Sequence, residues 1–152
     1  FKYQKRLAFA HGLSKIWNAV LANEIDDRSI DYLLPVPLSQ KKLLARGFNQ
    51  SWEIAKRIQC GNHIQKLPFV LKRFHHIEHQ AAKNYSARQH DIRQMFYIDT
   101  KDIEILKGKS VAVFDDVMTS GATLNEIART LKMIGVARVI NWVLLRTTKL
   151  SL

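Results

Sequence analysis

The chain has 152 residues, 47% of them apolar, with 24 Lys and Arg against 13 Asp and Glu, so its formal net charge is +11. That length predicts a single domain, residues 1–152, able to bury a real core, and the apolar content excludes disorder and low complexity. No apolar run approaches the ~20 residues needed to span a membrane, and the lone Cys60 can form no internal disulfide, so a reducing cytoplasm is the expected location.

So large an excess of positive charge points to anionic partners: nucleic acid, phosphorylated small molecules, or both. The competing reading is a basic surface that only aids solubility. The chain starts at Phe1 in the basic run FKYQKR without a Met, which predicts a missing N-terminal piece.

In chain order, residues 7–23 place Phe9, Leu13, Ile16, Trp17, Val20 and Leu21 on one helical face. A short buried strand is expected from Ile30 to Val36, closed by Pro35 and Pro37. The run LSQKKLLARGFNQ reads as a basic loop, and SWEIAKRIQ as a helix stopped by Gly61-Asn62. Leu67–Leu71 is a strand candidate. Residues 72–94 lack a clean period and read as a long polar loop.

MFYI is a further short strand candidate. The run VAVF, Val111–Phe114, is apolar at every position, as in a parallel strand buried on both faces. Ala122 to Ile134 is predicted helical, with Ile127, Ala128, Leu131 and Ile134 inward and Gly135 as the stop. VARVINWVLL forms the last strand. Helices alternating with short apolar strands predict an α/β fold with a doubly wound, mostly parallel sheet.

The chemistry concentrates in VFDDVMTSGATL. Ligands of open parallel sheets sit beyond the carboxyl ends of the strands, where Asp115 and Asp116 follow VAVF. Two adjacent carboxylates that diverge on leaving a strand suit the vicinal hydroxyls of a ribose. Met118, Thr119, Ser120, Gly121, Ala122 and Thr123 then supply backbone N–H groups, hydroxyls and a close-approach glycine at a helix start, a cradle for phosphate. Together they describe a ribose 5-phosphate site. An ordinary strand–turn–helix would explain Thr119 or Ser120 as an N-cap but not the acidic pair. No G-x-x-x-x-G-K-[ST] run is present.

Four apolar residues, two acids and the Thr-Ser-Gly-Ala-Thr loop resemble the signature of type I phosphoribosyltransferases. The resemblance implies that Asp115 and Asp116 hold the ribose hydroxyls of phosphoribosyl pyrophosphate (PRPP), that residues 118–123 hold its 5-phosphate, and that Mg²⁺ arrives with the pyrophosphate.

LLPVPLSQKKLLARGFNQ, and the spacing of Arg73, Gln80, Arg88 and Phe96, resemble the ComF-like competence proteins within that family. This implies a part in natural competence and the handling of single-stranded DNA alongside other DNA-uptake proteins. By the same resemblance Lys2 belongs to a first loop at the pyrophosphate, and Arg46 lies near the site. Two departures stand out. The four-Cys zinc-binding module of the family is absent from this sequence, and Asp91 replaces the usual Asn before the Phe.

Lys2, Arg46 and Arg88 are therefore the candidate pyrophosphate or nucleic-acid contacts, with surface charge as the alternative. His75, His76 and His79 lack a carboxylate or Cys shell and read as solvated. Trp17 and Trp142 read as core, whereas Trp52 and Phe74 lie near basic stretches and are the candidates for stacking on bases. Two functions follow: a PRPP-binding protein of DNA handling, or an active transferase moving ribose 5-phosphate to a nucleobase or amine. No segment reads as a hood for such an acceptor.

Overall fold

Strand β5 (Ser110–Met118) is the axis of the molecule, and its alternating side chains divide the core in two. The structure is a computed structural model and describes residues 2–74 and 94–147. The elements in chain order are α1 (Lys2–Val20), β1 (Tyr32–Pro35), α2 (Gln40–Arg46), α3 (Gln50–Ala55), β2 (Gln65–Lys66), β3 (Leu71–Arg73), β4 (Phe96–Ile98), α4 (Thr100–Leu106), β5, α5 (Ala122–Met133) and β6 (Arg138–Arg146). The main sheet has the order β2-β1-β5-β6, and every pairing in it is parallel.

Because successive side chains of a strand point to opposite faces, Ala112 and Phe114 pack with Ala10, Leu13 and Trp17 of α1 and Ile54 and Ala55 of α3. Val111 and Val113 pack on the other face with Leu106, Leu124, Ile127 and Leu131. Trp17 meets the Phe114 ring edge-on, at 5.4 Å between centroids and 68°. Helices therefore cover both faces of a parallel sheet, as the sequence predicts.

Pro35 fits a central strand because β2 pairs only with Tyr32 and Leu33. Its missing N–H costs no ladder bond on that side, and on the other Val36 donates to the carbonyl of Phe114 at 2.9 Å.

Several expectations are corrected. The basic loop contains α2, which Ser39 caps by accepting from the Lys42 amide and which Gly47 ends at φ 81°. The strand expected at 67–71 is β3, displaced to 71–73 and paired antiparallel with β4 in a separate two-stranded sheet. Lys72 and Arg73 thus belong to a strand rather than a loop. Helix α4 was not expected. Of the face expected on α1, Leu13 and Trp17 do turn inward, together with Ala10 and Ser14, whereas Phe9, Ile16 and Val20 face solvent. Among the described residues no helix is long and apolar enough to cross a membrane.

Candidate functional site

The strand expected at 111–114 runs on to Met118 because β6 is long enough to keep pairing with it: Asp115 stands opposite Val143, Val117 opposite Leu145 and Met118 opposite Arg146. Asp115 and Asp116 thus lie within a strand, just past the point where β1 stops pairing at Phe114. The sheet is two strands narrower there, which opens the cleft.

Asp115 lines this cleft together with residues 117–124. Gly121 is the N-cap of α5 at φ 81°, a left-handed conformation that disfavours any residue with a Cβ. No side chain caps this helix start; Ser120 Oγ accepts from the Ala122 amide, at 3.3 Å. An N-cap of Thr119 or Ser120 is therefore not what the loop is for. First-turn amides of a helix carry partial positive charge and attract anions, and the exposed Thr119 and Ser120 hydroxyls stand beside them.

The carboxylates do not diverge as expected. Ser51 Oγ, from the first turn of α3, lies 3.4 Å from Asp115 Oδ1 and 3.3 Å from Asp116 Oδ1. Burial, then the neighbouring Asp116 charge, push the Asp115 carboxyl up to about 6, while the Asp116 amide and the Ser51 hydroxyl pull it partly back. Such a carboxyl changes charge close to neutral pH, as groups at working sites often do.

Ser51 was not expected. The signal for it was its place directly after RGFNQ, three of whose residues have structural roles. Gly47 ends α2, Phe48 is buried, and Asn49 caps α3 by accepting from the Trp52 amide. Arg46 ends α2, half-buried, and is not among the residues lining the cleft. Lys2 opens α1 rather than a loop. Arg88, His75, His76, His79 and Asp91 lie outside the described residues. Trp52 packs half-buried against the core, and Phe74 stacks on Tyr97 with centroids 4.3 Å apart. Among the described residues no group of three or more His, Cys, Asp or Glu is arranged to hold a metal ion.

A parallel sheet whose switch in pairing opens onto an acidic pair and a Gly-capped helix start has counterparts among known proteins. The sequence profile of the phosphoribosyl transferase domain matches residues 53–150. The chain belongs to the phosphoribosyl transferase domain family. It is 31% identical over 114 residues to Competence protein F of Haemophilus influenzae, covering 75% of this chain and 49% of that protein. It is 30% identical over 117 residues to DNA utilization protein YhgH of Escherichia coli (strain K12), covering 77% of this chain and 50% of that one. The chain thus spans about half the length of the curated relatives it matches.

The same fold occurs in the glutamine phosphoribosylpyrophosphate amidotransferase of B. subtilis, at TM-score 0.52 and 15% identity over 89% of this chain and 26% of that one. It also occurs in an allosteric regulatory enzyme of purine biosynthesis, at TM-score 0.53 and 18% identity over 88% and 26% of the two chains. Both confirm the phosphoribosyltransferase fold expected from the sequence.

Proposed function

We propose that this domain, residues 1–152, binds PRPP and acts in the handling of DNA during natural competence. The observation that carries the first part is the meeting, in one cleft, of Asp115 with a loop whose helix start has no side-chain cap. The ribose hydroxyls would donate to Asp115 and Asp116, and the 5-phosphate would accept from the amides and hydroxyls of residues 118–123. The competence role rests on the relatives, two of which are named for competence and for DNA utilization. The net charge of +11 supports single-stranded DNA as a partner, and the absence of an internal disulfide supports a cytoplasmic setting.

Mg²⁺ fits the donors present, since carboxylates and hydroxyls are the hard oxygen ligands it prefers, and it would be carried in on the pyrophosphate. Bound there, it would neutralise charge on the leaving pyrophosphate. In this reading the chain's own residues hold the sugar and its phosphate, and Lys2, Arg46 and Arg88 are the candidate cations for the pyrophosphate or for DNA.

One observation favours the alternative, an active transferase with a nucleobase or amine acceptor: Asp115, pushed up to about 6, can take a proton near neutral pH. Calorimetry with PRPP and Mg²⁺ tests the pocket. Heat of binding that Asp115→Ala and Asp116→Ala weaken is expected, and no heat with the intact protein would sink the reading. Pyrophosphate release against a panel of bases and amines then separates enzyme from binder.

A further inference from the structure

We propose that Ser51 is a positioning residue of this site, holding Asp115 and Asp116 side by side so that they can accept from two adjacent hydroxyls. The inference rests on the ribose reading above.

Adjacent carboxylates repel, and in a strand their side chains start toward opposite faces. Left alone, they would splay. The Ser51 hydroxyl reaches both, at 3.4 and 3.3 Å, from a helix far away in sequence. Its single proton can be given to only one carboxylate at a time, so it restrains the pair without neutralising it.

A buried serine often does no more than satisfy its own hydroxyl. Ser14 does this in α1, donating to the carbonyl of His11 at 2.8 Å, and is 3% exposed. Ser51 is equally buried at 3%, but it sits in the first turn of α3 with no helical turn behind it to accept. Its partners in the structure are the two acids.

The helix presenting it is held firmly. Asn49 caps α3 and also donates through Nδ2 to the carbonyl of Val36 at 2.9 Å, tying the helix start to the end of β1. Ile54 and Ala55 are fully buried beneath it. The charged groups on the packed elements pair elsewhere: Glu53 with Lys56 and Arg57 on α3, and Glu126 with Arg129 on α5. On β6, Val143 stands opposite Asp115, and Arg146 ends the strand opposite Met118.

The test compares Ser51→Ala with the intact protein at two points: the carboxyl carbon titration of Asp115 by NMR, without ligand, and calorimetric affinities for ribose 5-phosphate and for inorganic phosphate. The expected result is an Asp115 midpoint moved to higher pH, about tenfold weaker ribose 5-phosphate binding, and phosphate binding unchanged. Ser51→Thr, which keeps the hydroxyl, should recover both. If Ser51→Ala does not fold, Ser51→Cys keeps the volume with a weaker donor and is read the same way. An unchanged midpoint overturns the proposal, and so does an equal loss of affinity for both ligands. If the intact protein binds no ribose 5-phosphate, the ribose reading fails, and the midpoint alone decides whether Ser51 orients the acids.

Discussion

Asn49 joins two parts of the site: its Nδ2 donates to the Val36 carbonyl at the end of β1, and its Oδ1 accepts from the Trp52 amide at the start of α3. The turn that carries Ser51 to the acidic pair is thereby fastened to the strand beside β5. Asn49→Ala removes the cap and leaves the carbonyl of the buried Val36 without this donor. The expected cost is about 2 kcal/mol, read as a lower urea midpoint with an unchanged slope. Asn49→Asp keeps the cap but not the tether, and should fall between.

Gly121 has φ 81°, but a Cβ there would meet nothing closer than Met118 Sδ at 3.6 Å. Gly121→Ala is therefore sterically admissible and conformationally costly, by about 1–2 kcal/mol. A fall of a few degrees in melting temperature is expected. Because relief of the strain turns the amides of the 119–123 loop, affinity for inorganic phosphate should fall further than stability does. Equal loss from Gly121→Ala and from an exposed-loop control would contradict this.

Asp115 should link folding and the proposed PRPP binding with opposite signs. Its carboxyl sits at about 6 in the fold against an ordinary 3.8, so the native state binds its proton more tightly than the unfolded chain does. That contribution is fully present below pH ~4 and is lost as pH rises through ~6. Solvent reaches the group, so the effect should be about 1 kcal/mol. In the proposed site the ionised form accepts from the diol, so binding should weaken as pH falls below ~6. Urea unfolding and PRPP calorimetry between pH 4.5 and 8 should show opposing trends, and Asp115→Asn should flatten the first.

Phe114 is fully buried between α1 and the sheet, edge-on to Trp17. Phe114→Ala empties the centre of that layer at an expected cost of about 3–5 kcal/mol, a large share of the ~5–15 kcal/mol of a typical domain. Denaturant unfolding checks it. Phe9→Ala, in the same layer's helix but 57% exposed, should change stability by no more than about 0.5 kcal/mol.

The net charge of +11 makes a last prediction: affinity for single-stranded DNA, measured by fluorescence anisotropy, should fall steeply with salt, giving a linear log–log slope. A flat response would argue against the proposed DNA role.

Much of this was legible without coordinates where local chemistry suffices. An unbroken apolar run means a strand buried on both sides, so VAVF announced the centre of a parallel sheet, and the Gly-containing loop before a periodic segment announced the start of α5. The helical period in LSQKKLLAR was hidden because α2 buries none of its residues and so shows no apolar stripe. The inward face of α1 was read too widely for a related reason: Leu13 and Trp17 are inward as expected, but only the partner surface decides that Ala10 joins them and that Phe9, Ile16 and Val20 do not.

What the sequence by itself determined is the fold class, the family and the acidic pair beside a glycine-containing loop, because each depends on residues close together in the chain. What only the tertiary structure decided is how those acids are arranged. The pairing of β5 with β6 carries the strand through Asp115, and α3, anchored by Asn49, brings Ser51 within reach of both carboxylates. A hydroxyl and two carboxylates more than sixty residues apart leave no mark on local composition; their meeting is a property of packing.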